Sequence, residues 1–92
     1  MTEPQKVAPV LAISGNYAVV HIVNRRHPAL AIQGDSLKIL QATIQELSDS
    51  LDLGDLEEAK FSLREIVSTV SSMTSLYEET SRSAGFELPY NI

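Results

Sequence analysis

Apolar residues recur at alternating intervals of three and four through most of the last two thirds of the chain, and this pattern constrains the fold most. The first set is Leu37, Leu40, Ile44, Leu47 and Leu51. The second set is Leu56, Ala59, Leu63, Ile66, Val70, Met73 and Tyr77. Such spacing keeps apolar side chains on one face of an α-helix. The sequence therefore predicts helices over about 36–52 and 56–83, and the short joint at Gly54 makes them antiparallel neighbours.

Short extended segments precede the helices. Runs rich in β-branched residues predict strands over about 7–13, 17–23 and 29–33, separated by turn residues. Three strands with short connections most simply form an antiparallel sheet. We expect Asp35 or Ser36 to cap the first helix. The predicted fold is α+β with the order β-β-β-α-α, in which the two-helix hairpin covers the sheet within a single small domain of 92 residues.

Charge and composition exclude several classes of protein. The chain has 12 acidic and 7 basic residues, a net charge of −5, whereas domains that neutralise nucleic-acid phosphates are usually basic. The absence of cysteine excludes disulfides, thiolate metal sites and thiol chemistry. The first residues lack the features of a secretory signal, and no apolar run approaches the roughly 20 residues that span a bilayer. We therefore expect a cytoplasmic protein that binds neither nucleic acid nor membrane.

Acidic residues are concentrated at the predicted joint between the helices. Residues 1–45 carry two acidic and four basic side chains, whereas residues 46–92 carry ten and three. Six acids fall within thirteen residues that contain no base: Glu46, Asp49, Asp52, Asp55, Glu57 and Glu58. The last three favour the dipole at a helix N-terminus, but Asp49 and Asp52 lie at a helix C-terminus, where each negative charge costs about 0.3–1 kcal/mol. The six form a candidate partner-binding acidic tip; the alternative is an ordinary solvated surface.

Two further groups are candidate contact surfaces. Phe61, Ser68 and Ser75 lie opposite the apolar stripe of the second helix, on a face of small uncharged residues where strong helix formers would be expected. This composition favours packing against a like subunit over full solvation. Arg25 and Arg26 belong to the densest basic cluster, which is either a second contact, for an acidic partner or for a like subunit, or a solvated connector.

The sequence contains no convincing set of catalytic or metal-binding residues. The Gly-Asp-Ser-Leu sequence around Ser36 matches by letters the tetrapeptide of one esterase family, but that family places its acid and base in a downstream D-x-x-H pair. Both histidines of this chain, His21 and His27, lie upstream, and neither has carboxylates beside it at ligand spacing. We therefore expect a protein without enzymatic activity, metal or cofactor.

The centre of the chain resembles the motif of a family of small uncharacterised bacterial proteins about as long as this one. The motif reads Arg-x-Pro-x(3)-Ile-Gln-Gly-Asp-Ser-Leu and corresponds to residues 26–37. The Gly-Asp-Leu at 54–56 and the closing Leu-Pro-Tyr at 88–90 resemble further parts of the pattern. His27 replaces an aromatic residue of that family, and Ala29 replaces a glycine. The resemblance implies a bacterial origin and carries no function.

These observations leave two hypotheses from different classes. One is a small acidic, non-enzymatic binding protein, most concretely an immunity or antitoxin-like inhibitor that masks a basic partner such as a nuclease toxin. The other is a regulatory or accessory subunit that self-associates, for example as a homodimer, through the face that contains Phe61. Both hypotheses require a protein partner.

Overall fold

The computed structural model describes residues 7–92. Three strands precede two helices: β1 (Val10–Ser14), β2 (Tyr17–Val20), β3 (Ala29–Ile32), α1 (Gly34–Asp52) and α2 (Leu56–Ser83). The strands form one antiparallel sheet in the order β1-β2-β3. The predicted α+β fold and its β-β-β-α-α order are confirmed.

The strands are shorter than the sequence predicts. β1 begins three residues late, at Val10, because Pro9 has no N–H to contribute to a strand ladder. β2 ends three residues early, at Val20, and the chain then turns at Asn24, whose φ of 67° is left-handed. β3 ends one residue before the predicted boundary. The runs of apolar residues therefore mark the strands correctly but extend past their ends.

α1 begins earlier than predicted and without the predicted cap. Its first residue is Gly34, and its N-cap is Gln33, whose side chain makes no capping hydrogen bond. The carbonyl of Gln33 accepts a bond from the N–H of Leu37 at 3.0 Å. The carboxylate of Asp35 accepts a bond from the N–H of Ser36 at 2.8 Å, within the first turn. The prediction that Asp35 or Ser36 caps α1 is wrong, because both residues lie inside the helix.

The joint between the helices is a Schellman turn that leads directly into the cap of α2. Gly54 has a φ of 73°, and its N–H donates to the carbonyl of Leu51 at 3.1 Å. The N–H of Asp55 donates to the carbonyl of Ser50 at 2.9 Å. The carboxylate of Asp55 in turn accepts a bond from the N–H of Glu58 at 3.1 Å. A three-residue connection with its polar groups paired in this way confirms the predicted helical hairpin.

Contacts within the chain divide it into two compact units. One contains the strands up to Ala31 together with Leu76–Ile92, and the other contains Ile32–Ser75. The second unit therefore comprises α1 and most of α2, while the last turns of α2 belong with the strands.

Within the first unit, the end of α2 packs with the sheet. Val19 of β2 and Ser81 of α2 are both fully buried, and Pro28, which precedes β3, is buried as well. Leu11 of β1 and Thr80 of α2 line the same surface pocket. Within this unit, the end of α2 covers the sheet.

The segment after α2 folds back onto the first unit. Gly85, with a φ of 84°, ends the helix in a second Schellman turn, in which the N–H of Phe86 donates to the carbonyl of Ser81 at 2.9 Å. The Phe86 ring lies 4.7 Å from the ring of His21, centroid to centroid. Phe86 therefore packs against the residue that directly follows β2.

Two tyrosines fasten the C-terminal residues to α2 and to the loop before β3. The hydroxyl of Tyr77 donates to the carbonyl of Pro28 at 2.7 Å, and the ring of Tyr90 stacks on that of Tyr77 at 6.5 Å. The hydroxyl of Tyr90 donates to the carboxylate of Glu78 at 2.9 Å. Desolvation raises the pKa of Tyr90 above its ordinary value, and the carboxylate of Glu78 raises it further.

Candidate functional site

The six acids predicted from the sequence lie together around the joint of the hairpin. Three occupy the last two turns of α1, and three form the cap and first turn of α2; we call them the acidic tip (Glu46, Asp49, Asp52, Asp55, Glu57 and Glu58). All six are exposed. Among residues 7–92, no basic side chain forms an ion pair with any of them within 4.0 Å. The acidic tip therefore presents a formal charge of −6 to solvent around the three-residue connection of the hairpin.

Only part of this charge has a local structural role. Asp55 caps α2 through the bond to the N–H of Glu58. Asp49 accepts a bond from the side-chain amide of Gln45 at 3.0 Å, which leaves its charge in place. The last turn of α1 contains no basic residue, so Asp49 and Asp52 face the negative end of the helix dipole without compensation.

Three of the four buried residues of the hairpin unit have small side chains. Ser50 of α1 is 7% exposed, and Ala59 and Ser62 of α2 are 4% and 1% exposed. The larger Met73 is buried further along α2. Small residues let two helices approach closely, because the distance between helix axes depends on the side chains at the contact.

Three residues of each predicted apolar stripe lie outside this contact and remain exposed. With Val67 beside them, these residues form what we call the apolar flank: Leu37, Ile44, Leu51, Leu56, Leu63, Val67 and Val70, each 43–61% exposed. Sequence reasoning missed this surface because it treated every stripe residue as core. One feature of the sequence could have indicated this exposed surface: a serine or threonine directly precedes Leu37, Ile44 and Leu51.

The two helices contribute to the apolar flank on the same side of the hairpin. Ser50 lies on the inner face of α1, and Leu51 follows it; Ser62 lies on the inner face of α2, and Leu63 follows it. One residue is a rotation of about 100° around a helix. Because the two helices are antiparallel, the residue that follows an inner-face position points to the same side of the hairpin in both. Leu51 and Leu63 therefore lie on one side.

The opposite side of the hairpin carries a groove of about 470 Å³ between the helices. Its lining includes Ile39 of α1 and both Phe61 and Ser68 of α2. Phe61 is half exposed, while Ser68 and Ser75 are exposed, and Ser75 does not line the groove. The structure thus brings Phe61 and Ser68 to one groove and leaves Ser75 outside it.

The chain matches a known protein family. The sequence model of one family matches residues 3–90, almost the entire length. The protein belongs to DUF6959, a family of unknown function. Comparisons with curated proteins and with solved structures returned no match.

In this DUF6959 protein, Arg25 and Arg26 lie in the connection between β2 and β3, and thus in the first unit rather than with the acidic tip. Arg26 pairs with the exposed carboxylate of Glu87 at 3.4 Å. His27 donates from Nδ1 to the carbonyl of Glu87 at 2.9 Å, and His21 donates from Nε2 to the carbonyl of Arg25 at 2.8 Å. Both histidines therefore hold the connection in place, one of them against the C-terminal segment.

The described part of the DUF6959 chain offers no arrangement of side chains for metal binding. No three His, Cys, Asp or Glu side chains between residues 7 and 92 converge on a point that could hold an ion. Ser36 lies in the first turn of α1, and no hydrogen bond joins its hydroxyl to a histidine in the same range. None of the helices described is long and apolar enough to cross a bilayer.

Proposed function

We propose that this DUF6959 protein is a small non-enzymatic binding protein whose acidic tip covers a basic surface of a protein partner. The closest functional description is an immunity or antitoxin-like inhibitor of a basic toxin such as a nuclease, in a bacterial cytoplasm. The observation that carries the proposal is the acidic tip itself. Its six carboxylates are exposed, and none is neutralised by a basic residue of the described chain.

The placement of the charges supports a role outside folding. Capping of α2 explains Asp55, and the helix dipole explains Glu57 and Glu58. Asp49 and Asp52 have no such explanation, because their charges oppose the dipole of α1 at a cost of about 0.3–1 kcal/mol each. Contact with a cationic partner would offset that cost in the complex.

The backbone of the acidic tip is fixed before any partner binds. The Schellman bonds at Gly54 and the cap of Asp55 use the N–H groups of the connection, so the carboxylates project from a defined turn. A surface that is already ordered loses less conformational entropy on binding. Six like charges in a small area also accelerate encounter with a cationic surface, an effect that decreases steeply with ionic strength.

The experiment is a titration of the full-length protein against purified basic bacterial toxins, with nucleases first, at low and high salt. We expect complex formation with an association rate that falls as salt rises. The double variant Asp49→Asn/Asp52→Asn removes two charges, and we expect it to slow association about tenfold at low salt. Circular dichroism shows whether the hairpin of the variant is intact.

The matched control removes two negative charges from α2, outside the acidic tip. Glu65→Gln/Glu79→Gln also raises the net charge by two, but both residues lie outside the acidic tip. We expect this control to change association far less than the tip variant. Equal effects of the two variants, or an affinity that ignores both, would refute an electrostatic role of the acidic tip.

The second candidate function is a regulatory or accessory subunit that self-associates. The half-exposed ring of Phe61 beside Ser68 in the groove favours it, since an exposed aromatic at the edge of a groove is a common contact residue. This function predicts association that depends on Phe61 and is insensitive to the charges of the acidic tip.

A further inference from the structure

The apolar flank has the spacing of a helix-bundle core, but no other helix of residues 7–92 is packed on it. Leu37, Ile44 and Leu51 are seven residues apart along α1, and three residues of α2 (Leu56, Leu63 and Val70) repeat the same interval. Residues at seven-residue spacing form a nearly straight line along a helix, as in coiled coils and four-helix bundles. Two such lines lie side by side on one side of the hairpin, in solvent.

The area of the apolar flank matches the apolar core of a homodimer interface. An unfolded chain exposes about 1.45 Å² per dalton, so seven Leu, Ile and Val residues at 43–61% exposure present roughly 600 Å². A stable dimer buries about 800 Å² per partner, of which about 65% is apolar, or roughly 500 Å². We therefore propose that two copies of this protein pack their apolar flanks together as a four-helix bundle.

The charge pattern is that of an interface and not of a solvated face. The positions beside the apolar flank are Gln41, Ser48, Lys60 and Thr74, and none of them is acidic. The acidic tip overlaps only the end of this surface that contains Leu51 and Leu56. Two copies can therefore bury the rest of the apolar flank without bringing carboxylates into the contact.

The same charges fix the orientation of the dimer. In a parallel dimer, two acidic tips of charge −6 would lie side by side. In an antiparallel dimer, in which position 51 lies beside position 37 of the partner, they are separated by about 21 Å along α1, more than two Debye lengths at physiological salt. Each acidic tip then approaches the first turns of the partner's α1, where Asp35 and Lys38 together carry no net charge. The dimer is antiparallel, and it carries one acidic tip at each end.

Dimerisation does not depend on the function proposed for the acidic tip, and separate variants test the two. Molar mass is measured by light scattering and by sedimentation equilibrium from about 1 to 200 µM, a range that brackets micromolar self-association. We expect a dimer of the full-length protein at the upper end. Ile44→Glu, at the centre of the interface, is expected to raise the dimer dissociation constant at least about 100-fold, because it buries an unpaired charge in each copy. Helical circular dichroism verifies that the variant is folded.

Ile39→Glu is the matched control. Ile39 is also an isoleucine of α1 and is 67% exposed, compared with 48% for Ile44, but it lines the groove on the opposite side. The control is expected to dimerise like the original protein. A monomer at every concentration would refute the proposal. Loss of the dimer with Ile39→Glu or Phe61→Ser, but not with Ile44→Glu, would assign the interface to the groove instead.

Introduced thiols test the orientation, since the chain has no cysteine of its own. Leu37→Cys/Leu51→Cys is expected to form a disulfide-linked dimer under mild oxidation, because an antiparallel dimer places position 37 beside position 51 of the partner. The two positions are about 21 Å apart within one helix, too far for an internal bond. Each single variant should remain unlinked. Rapid cross-linking of Leu51→Cys alone would indicate a parallel dimer and refute the antiparallel arrangement.

Discussion

Removal of one hydroxyl group, in Tyr77→Phe, is expected to destabilise the first unit measurably. The hydroxyl donates to the carbonyl of Pro28 at 2.7 Å, and Pro28 is buried, so water does not readily replace the lost donor. A buried acceptor left without a partner costs about 1–3 kcal/mol. In a chain of this size, each kcal/mol corresponds to a shift of about 4–8 °C in Tm. The assay is urea and thermal unfolding at one fixed protein concentration, because dimerisation makes Tm depend on concentration.

The control for this prediction is the same substitution thirteen residues later, Tyr90→Phe. Its hydroxyl bonds to the exposed carboxylate of Glu78, which water can solvate once the hydroxyl is removed. We expect a loss of about 0.5 kcal/mol or less, consistent with an exposed hydrogen bond. If the two variants lose equal stability, or if Tyr77→Phe loses less than about 0.5 kcal/mol, burial of Pro28 does not determine the strength of this contact.

Three further predictions concern single sites. Gly54→Ala should destabilise the protein by about 1 kcal/mol in the same unfolding assay, because an alanine at a φ of 73° is strained even though its Cβ meets nothing within 4 Å. The control Gly34→Ala, inside α1, should be neutral or stabilising. Ser81→Ala should be neutral or stabilising, since the buried hydroxyl of Ser81 has no hydrogen-bond partner among the described residues; a loss above about 1 kcal/mol would reveal a partner. Because the pKa of Tyr90 is raised, its contribution to the free energy of unfolding is complete below the unfolded value of 10.0 and is lost as pH rises through the folded pKa. Absorbance titration should therefore show that Tyr90 ionises late, and Glu78→Gln should lower its pKa.

The sequence predicts the ends of the helices where a side chain or a glycine marks them. Gly54 and Asp55 locate the joint, and Gly85 locates the end of α2, because these residues supply the bonds that terminate or begin a helix. The start of α1 was predicted two residues late, because Gln33 caps it through its backbone alone. A cap without a side-chain bond has no signature in the sequence.

The sequence predicts which residues share a helix face more reliably than which of them are buried. A three-four spacing is satisfied equally well by a contact centred on Leu51 or on the preceding Ser50, and hydrophobicity favours the leucine. The structure buries Ser50 and Ser62 and leaves Leu51 and Leu63 about half exposed. Periodicity in one chain cannot distinguish the surface that packs within the hairpin from one available to another chain. The acidic tip, in contrast, depends only on neighbours in sequence, so its position around the joint follows once the two helices are assigned.

The division of the chain into two units has a consequence for the order of folding. The hairpin unit is continuous, Ile32–Ser75, so its contacts close over short separations along the chain. The sheet unit needs segments from both sides of the hairpin to meet, which in an unfolded chain requires closure of a loop of more than 40 residues. Once the hairpin forms, its antiparallel helices bring those segments close together. We therefore expect helix formation to precede sheet formation, with the hairpin acting as the nucleus on which the strands assemble.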